Sequence, residues 1–298
     1  MNTKRVLKIL GLILLITVVL LSFGCQKKEA EPAEQESEEA AAPKDEEPFK
    51  VAFVYIGIPG DLGWTYMHDV GRKDMIENLG DKVETTYIEN VPEGPDAARI
   101  MRQYAQKGYD MIFATSFGYM DPMLEVAKEF PDVYFEHCSG YKTRENMATY
   151  FGRMYQPRYL SGLVAGSMTE ENFIGYVAAF PIPEVIRGIN AFTLGVREVN
   201  PDATVKVVWT NTWYDPVKER EAAVALLDSG VDIIAQHQDT TEPQKAAKER
   251  GMMIIGYVSD MAQFVGDTVL TSPVWNFGPY RSEEHMSELQ SLSHISYA

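Results

Sequence analysis

The sequence predicts an α/β protein made of two lobes, each built on a parallel sheet. A large apolar content, an alternation of β-rich runs with helical stretches, and an internal similarity predict this class. With 298 residues, of which 45% are hydrophobic and 11% aromatic, the chain can bury a sizeable core. The alternation begins at Phe49 and continues to Tyr280. Continuous apolar runs joined by helices are typical of parallel sheets covered on both faces.

Eight segments have the length and the β-branched or aromatic enrichment of buried strands. They are KVAFVYIGI (50–58), KVETTYIE (82–89), YDMIFATSF (109–117), DVYFEHC (132–138), FIGYVAAF (173–180), TVKVVWT (204–210), VDIIAQH (231–237) and MMIIGYV (252–258). Helical segments are predicted between them near 65–79, 95–107, 121–129, 156–169, 184–198, 216–229 and 241–250. This order of strand and helix is that of repeated βαβ units.

Residues 99–115 and 221–237 align at a constant offset of 122 positions. In both copies a helix ends on a glycine, which is a natural helix C-cap, and a buried strand follows. Within the longer βαβα series, the equal spacing indicates two lobes of similar architecture. Ligands of such sheets bind beyond the carboxyl ends of the strands. Two facing lobes place Thr115–Asp121 and Gln236–Thr240 on opposite walls of one cleft.

The charge balance and the cysteine content exclude several classes of protein. The chain carries 43 acidic and 27 basic side chains, a formal net charge of −16. A nucleic-acid-binding protein needs a basic footprint, so nucleic acid is not an expected partner. The two cysteines, Cys25 and Cys138, cannot form a disulfide framework. The pattern also excludes collagen, a coiled coil and a multi-span membrane protein.

Residues 1–24 are predicted to be a lipoprotein signal peptide. They combine a basic start with an apolar run from Ile9 to Leu21 and a short ending, SFG, before Cys25. The alternative is a transmembrane anchor, but the run is shorter than the ~18 to 20 apolar residues of a span. The ending resembles the lipobox of bacterial lipoproteins, whose cysteine is acylated. We therefore expect Cys25 to carry palmitate or a related lipid, and to anchor the protein at the extracytoplasmic face of the cell membrane.

Residues 25–48 are predicted to form an acidic, disordered tether. Positions 26–48 hold nine acidic and three basic residues, with no aromatic or β-branched residue. Such a segment cannot bury enough apolar surface to become ordered. It suits a spacer between a membrane and a folded domain. A plain solvated tail is the alternative interpretation.

The last eighteen residues, 281–298, break the alternation of strands and helices. They resemble the translation of a sequencing-adaptor oligonucleotide, so we predict that this segment is non-native and that the native C-terminus is missing. A divergent native C-terminus is the alternative. The first lobe is then expected at 49–168 and the second at 169–280. His285 and His294 are left out of functional reasoning.

The sequence has no pattern typical of a catalytic or metal-binding site. Outside the tail the histidines are His68, His137 and His237, and no two lie at metal-ligand spacing. No nucleophile elbow or triad signature is present. Glycines within 57–63 are spaced G-x-x-G-x-x-G, unlike a phosphate loop, and Asp61 would repel a phosphate. We therefore expect a protein that is not an enzyme and has no cofactor or metal.

Aromatic side chains follow several of the predicted strands. Flat rings on both walls of a cleft suit a flat ligand that is held by stacking and oriented by a few polar groups. A single aromatic ring in such a loop fills a gap in the core about as often as it binds a ligand. Seven rings at the same end of two sheets, however, indicate a binding site. They are Trp64, Phe117, Tyr119, Phe180, Trp209, Trp213 and Tyr214.

Longer segments carry a resemblance to a known family. They include VAFVYIGIPGDLGWTYMHDVGRK (51–73), YIENVPEG (87–94), IFATSFGYMDP (112–122), YFEHCSGYK (134–142), YFGRMYQ (150–156), GYVAAFPIPEVIRGINAFTLG (175–195), VVWTNTWYDP (207–216) and LTSPVWNFGPY (270–280). These segments resemble the BMP family, the purine nucleoside receptor-like substrate-binding lipoproteins of ABC transporters. The resemblance implies a type I periplasmic-binding-protein fold, a purine base or nucleoside as ligand, and ABC permease subunits as partners.

The resemblance also implies roles for individual residues. Trp64 matches the family aromatic that stacks on the base, and Phe180 matches a second aromatic from the other lobe. Asp260 lies where nucleoside-binding members hold the ribose hydroxyls. Asp121 and Gln238 are candidate partners for base nitrogens. A lysine that nucleoside-binding members carry soon after the Thr-Ser pair is absent from PVWN (273–276), which favours a free base or a different ligand.

Three hypotheses follow from the sequence. The leading one is a solute-binding protein of an ABC importer that closes its lobes on a purine-type ligand. The second is a sensing lipoprotein that binds a similar ligand and signals to a receptor. The third is a nucleoside-processing enzyme that uses Asp61, Asp121 or Asp260. Neighbouring permease and ATPase genes would favour the first.

Overall fold

The computed structural model describes residues 47–283. The predicted signal peptide 1–24, the predicted acylation site Cys25 and most of the predicted tether lie outside the described residues, as do positions 284–298. Within the described range, no helix combines the length and the apolar character needed to span a bilayer.

The first sheet contains five parallel strands. They are β1 (Phe49–Val54), β2 (Val83–Ile88), β3 (Met111–Ala114), β4 (Tyr134–Cys138) and β5 (Met147–Tyr150). Their order across the sheet is β2-β1-β3-β4-β5. The crossover helices are α1 (Trp64–Leu79), α2 (Pro95–Gln106) and α3 (Met120–Glu129).

The second sheet repeats this arrangement. Its strands are β6 (Phe173–Ala178), β7 (Thr204–Trp209), β8 (Ile233–His237), β9 (Met253–Ile255) and β10 (Val269–Thr271), in the order β10-β9-β8-β6-β7. Its helices are α4 (Tyr155–Met168), α5 (Pro183–Val199), α6 (Pro216–Asp228), α7 (Glu242–Glu249) and α8 (Ala262–Val265). Proline opens α2, α5 and α6, where its fixed φ fits and its missing N–H loses no intrahelical bond.

Both faces of the first sheet are buried, which explains why its central strands are uninterrupted apolar runs. Ala52 and Val54 pack on the side of α2 and α3, whereas Val51 and Phe53 pack on the side of α1. Successive side chains of a strand point to opposite faces, so both faces need a cover. The second sheet is covered in the same way.

The predicted α/β class and the pair of parallel sheets are confirmed. The structure contains every predicted strand and helix, with ends shifted by a few residues. It adds β5, β10 and α8, which the sequence analysis missed. Each of these has only three or four residues, too short for a periodic pattern to identify it.

Helices α4 and α5 pack closely because glycines lie at their crossing. A Cβ added at Gly162 would lie 2.1 Å from the carbonyl oxygen of Phe192, and one at Gly195 would lie 2.1 Å from that of Tyr159. Helix α4 thus contacts a helix of the second lobe, and the lobe boundary at 168/169 stays a prediction.

The end of the described chain returns to the first lobe. Trp275 and Phe277 belong to the core between α1 and the first sheet, although 169–280 was predicted to form the second lobe. Residues 278–283 are helical, and Arg281 is fully buried with its guanidinium over the rings of Phe53 and Phe113. Arg281 also donates hydrogen bonds to His68. In the described residues, the fold thus continues across the predicted tail boundary at 281.

Candidate functional site

A pocket lies between the two lobes at the carboxyl ends of the strands. About 320 Å³ of empty space lies within it, a volume that includes solvent at the open side of the cleft. The pocket is lined by Ile56, Trp64, Ser116, Phe117, Ser139, Glu184, Trp213, His237, Asp239 and Tyr257. The site thus includes members of both predicted walls, 115–121 and 236–240.

Trp64 forms part of the first-lobe wall and has a fixed orientation. Its indole N–H donates a 2.6 Å hydrogen bond to the carbonyl oxygen of Thr115, at the end of β3. The rings of His68 and Phe277 meet the indole edge-on, with centroids 4.5 and 5.8 Å away. Since the N–H is already bonded, the indole offers the ligand a flat apolar surface rather than a donor.

Aromatic rings from both lobes face the pocket. Phe117 follows β3 in the first lobe, and Trp213 follows β7 in the second. Phe180 packs edge-on against Trp213 with centroids 5.1 Å apart, and is not one of the lining residues. Phe180 therefore supports the position of Trp213.

The floor of the pocket contains a neutral histidine. His237 Nε2 and the hydroxyl of Tyr257 are 3.2 Å apart, and His237 Nδ1 is buried without a partner. Burial and the nearby Arg158 hold the pKa of His237 well below its usual range. Arg158 lies 3.6 Å from the centroid of the Tyr257 ring and donates to the carbonyl oxygen of Gln236 at 2.8 Å. Among the described residues, the neutral imidazole thus has one ring nitrogen, Nδ1, without a hydrogen bond.

Two buried carboxyl groups beside the pocket are held by the protein. Asp61 accepts hydrogen bonds from the backbone N–H groups of Gly63, Thr65 and Tyr66 at 2.8, 2.9 and 2.9 Å, where α1 begins. Burial nevertheless raises the pKa of Asp61 to about 6. These three donors fix Asp61 as a cap of the helix.

Glu219 of α6 is the second carboxyl group held in this way. It accepts hydrogen bonds from the N–H and the hydroxyl of Thr240 at 3.1 and 2.7 Å, and from the N–H of Asp215 at 3.0 Å. Burial raises its pKa to about 7. Glu219 therefore shapes the loop after β8.

Two further carboxyl groups line the pocket itself. Burial raises the pKa of Glu184, in the first turn of α5, to about 7, although the Ser139 hydroxyl and Arg187 act in the opposite direction. Asp239 is only 5% exposed, and burial together with its acidic neighbours raises its pKa well above the usual carboxyl range. The pocket therefore combines flat aromatic walls with carboxyl groups that favour the neutral form.

The two lobes touch at the rim of this pocket. A Cβ added at Gly63 would lie 2.1 Å from the carbonyl oxygen of Asp239. Nearby, the Ser259 hydroxyl donates a 2.5 Å hydrogen bond to the carbonyl oxygen of Leu62. The loop before α1 thus contacts two loops of the second lobe and encloses the site.

The sequence and the fold of the chain have counterparts among known proteins. A model of the family described as ABC transporter substrate-binding protein PnrA-like, Bmp, matches residues 49–290. The chain belongs to the Bmp family. This confirms the resemblance that the sequence segments indicated. The match extends into the segment 281–298, and the tail boundary at 281 stays a prediction.

Two relatives of this Bmp-family chain are similar over most of its length. A purine-binding protein of Brucella abortus (strain 2308) is 54% identical over 235 residues, which are 79% of this chain and 67% of that protein. A Haloferax volcanii protein, whose name proposes glucose binding in an ABC transporter, is 50% identical over 254 residues, 84% of this chain and 64% of that protein. The chain therefore spans about two thirds of the length of these curated relatives.

Solved structures support the fold. The solute-binding protein of an ABC transporter system from Aeropyrum pernix K1 has a TM-score of 0.73 at 22% identity, covering 82% of this chain and 71% of that one. The predicted type I periplasmic-binding-protein fold of the Bmp-family chain is confirmed.

Three of the predicted site residues, Trp64, Phe117 and Trp213, line the pocket of this Bmp-family protein. Tyr119 does not, because it is fully buried in the first-lobe core and its hydroxyl donates to the carbonyl oxygen of Val91. Asp121 is exposed and forms a 2.5 Å ion pair with Lys142. Both residues follow β3, but the turn Phe117–Tyr119 and helix α3 direct them away from the cleft.

Gln238 and Asp260 also lie outside the pocket lining. Gln238 is buried and donates to the hydroxyl of Thr210 in the second lobe. Asp260 is exposed and accepts a 3.1 Å hydrogen bond from the N–H of Ala262, at the start of α8. Among the described residues, the neighbours of Asp260 are those of a helix cap.

Sequence reasoning missed four lining residues: Ile56, Ser139, Glu184 and Tyr257. Each lies within a few positions of the carboxyl end of a strand. The rule that ligands bind at these ends could have found them if it had been applied to every strand and not only to β3 and β8.

Proposed function

We propose that this Bmp-family chain is the solute-binding component of an ABC importer and holds a purine base between its lobes. The pocket with aromatic surfaces from both lobes carries this proposal. A purine has two flat faces for stacking and a few nitrogen groups at its edge for hydrogen bonds. The Brucella relative, named a purine-binding protein, supports the same ligand class.

The lining favours a purine over a sugar. The pocket offers the rings of Trp64, Phe117 and Trp213, and no lysine, arginine or asparagine lines it among the described residues. A sugar presents hydroxyl groups on every side, and each needs a partner when it is buried. The lining also carries the polar side chains of Ser116, Ser139, Glu184, His237, Asp239 and Tyr257, so the three rings, and not a lack of polar groups, favour the purine. Glucose, the solute in the name of the Haloferax relative, is therefore the comparison ligand.

Calorimetry on the full chain tests this proposal. Adenine, guanine, adenosine, inosine and glucose are titrated separately into the purified protein at pH 7. We expect a purine base to bind at least tenfold more tightly than the nucleosides, and glucose to give no heat. Binding of glucose with no heat from any purine would overturn the proposal.

The Asp260→Ala variant separates a base from a nucleoside. Because Asp260 is exposed and lies outside the pocket lining, we expect its removal to change purine affinity by less than about twofold. A carboxylate that holds ribose hydroxyls would instead cost tenfold or more when removed. Calorimetry with adenine and adenosine on this variant measures the difference, and a large loss for adenosine would indicate a nucleoside site.

We propose further that the mature protein is anchored outside the cytoplasm. The predicted signal peptide 1–24, acylation at Cys25 and the acidic tether 25–48 would place the two lobes, predicted at 49–168 and 169–280, beside the permease subunits. The protein would act by binding and release, without a chemical step on its ligand. The relatives and the fold are those of solute-binding proteins.

Replacing Cys25 with serine tests the anchor. We expect the variant to accumulate as uncleaved precursor or to enter the aqueous phase on detergent partitioning, whereas the native chain stays in the detergent phase. The reason is that acylation requires the thiol. Cys138→Ser is the matched control, because Cys138 is fully buried in the first lobe. Unchanged partitioning of Cys25→Ser would contradict the assignment.

A further inference from the structure

Asp239 and Glu184 are the two carboxyl groups that line the pocket. Among the described residues, Glu184 has one buried oxygen without a hydrogen-bond partner but interacts with the Ser139 hydroxyl and with Arg187, whereas Asp239 has neither a donor nor a cation beside it. Asp61 and Glu219 each accept three hydrogen bonds. In the part of the chain that the structure describes, no group donates a hydrogen bond to the Asp239 carboxyl. This side chain is 95% buried, as its 5% exposure shows, and it lines the pocket. Its hydrogen-bonding capacity is therefore open to whatever fills the pocket.

The charged groups that act on Asp239 are acidic. Asp61 comes from the first-lobe loop, Glu219 from α6 and Glu184 from α5, and all three disfavour its ionised form. Burial, Asp61, Glu219 and Asp239 in turn raise the pKa of the Tyr214 phenol. An ionised carboxylate in this position would be buried among like charges, which is costly without a cation.

The cations near the pocket act on other groups. Arg158 affects His237, which lies two residues before Asp239, and Arg187 affects Glu184. His237 itself is held neutral, so it supplies no positive charge. Among the described residues, the Asp239 carboxylate therefore has neither a hydrogen-bond donor nor a nearby cation to stabilise its negative charge.

We propose that Asp239 contacts the ligand as a neutral carboxylic acid, donating its O–H to a ring nitrogen and accepting an adjacent N–H at its carbonyl oxygen. This inference deepens the proposed function and rests on it. A neutral carboxyl has one donor and one acceptor side by side. An ionised carboxylate only accepts, and would pair with two N–H groups of the ligand.

The matching ligand edge is a ring nitrogen beside an N–H group. Adenine has this arrangement where its exocyclic amine adjoins a ring nitrogen on either side, so adenine is the natural probe. The Asp239 carboxyl thereby identifies the class of ligand as a 6-aminopurine or a heterocycle with the same edge. The aromatic walls stack on the faces of the ring, while Asp239 reads its edge.

Closure of the lobes must then take up a proton. In an open cleft, water solvates Asp239 and its carboxyl titrates near the ordinary value of about 4. On closure the carboxylate takes a proton from the buffer, and the new O–H group donates a hydrogen bond to the ligand. Closure raises the pKa of Asp239 above its value in the open protein. The protonated carboxyl therefore stabilises the closed complex fully at a pH below the open-state pKa, and this stabilisation is lost as the pH rises through the raised pKa. Between the two pKa values, the affinity for the ligand falls by about tenfold per pH unit for each proton.

Calorimetry of the full chain with adenine in two buffers of different ionisation enthalpy measures this proton. We expect the native protein to take up about one proton more than Asp239→Asn at pH 7. The amide of the variant keeps a donor beside an acceptor without titrating, so Asp239→Asn is expected to bind adenine at least as tightly as the native protein at pH 7. Asp260→Asn makes the same change at an exposed helix cap and is expected to behave as the native protein.

The outcomes separate this inference from the proposed function. Adenine binding with equal proton uptake in the native protein and Asp239→Asn would overturn the inference alone. A loss of tenfold or more in Asp239→Asn, with a native circular dichroism spectrum, would do the same, since it indicates an ionised carboxylate. No heat from any purine would overturn the proposed function, and this inference with it.

Discussion

Replacing Gly63 with alanine is expected to reduce purine affinity by about a hundredfold. The two lobes meet at this residue, and an added Cβ would lie 2.1, 2.8 and 3.0 Å from the carbonyl oxygen, the carbonyl carbon and the Cα of Asp239. These are backbone atoms, which cannot rotate aside as a side chain can. Overpacking of this kind costs about 1–3 kcal/mol, and a hundredfold is about 2.7 kcal/mol. Calorimetry with the purine that binds the native protein measures the loss.

Gly60→Ala is the matched control for this prediction. Gly60 lies in the same loop, but an added Cβ would meet only the Cδ1 atom of Ile58, at 3.8 Å. We expect this variant to bind as the native protein does. The free energy of unfolding of ligand-free Gly63→Ala should fall by about 1 kcal/mol, since the position is a helix N-cap, where glycine is preferred to alanine. Native affinity in Gly63→Ala would show that the lobes bind ligand without this contact.

Replacing Trp64 with alanine is expected to weaken purine binding by about ten- to a hundredfold. Stacking of a base on an aromatic ring contributes roughly 1–3 kcal/mol as judged by alanine substitution. Trp64 is also packed against His68, Trp275 and Phe277, so its loss should destabilise the first lobe by about 3–5 kcal/mol. Calorimetry gives the first effect and chemical denaturation the second.

Trp64→Phe separates stacking from the stability of the lobe. This variant keeps a flat ring but loses the indole N–H that donates to Thr115. We expect it to retain affinity within about tenfold of the native protein, because the face of the ring is what meets the ligand. If Trp64→Ala remains folded and binds purine with native affinity, Trp64 does not form a stacking surface.

The sequence by itself determined the architecture because the architecture depends on local patterns. Buried parallel strands must be apolar on both faces, as in Val51–Val54. Glycine and proline mark the ends of the helices that connect these strands. The repeated spacing between 99–115 and 221–237 indicated two similar lobes. Strands of three or four residues, such as β5 and β10, were missed because they are too short to show a periodic pattern of apolar residues. The close packing of α4 on α5 was also not predicted, because the contacts at Gly162 and Gly195 depend on the crossing of two helices.

The candidate site was predicted only as far as position along the chain allows. Trp64, Phe117 and Trp213 follow strands, and the structure brings them to one pocket because parallel strands end at the same edge of a sheet. Tyr119 follows the same strand as Phe117, yet a short helical turn directs its side chain into the core. Whether a residue just beyond a strand points inward or outward is decided by the backbone of the loop.

Only the tertiary structure decided which acidic groups line the pocket. In the sequence, Asp61, Asp239 and Asp260 are equivalent carboxylates that follow strands. In the fold, Asp61 caps α1 and Asp260 is exposed at the start of α8. Asp239 is buried beside other acids, and no group within 47–283 donates a hydrogen bond to it. The physical reason is that the charge state of a carboxyl depends on its burial and its neighbours. Those neighbours come from both lobes, which only folding brings together.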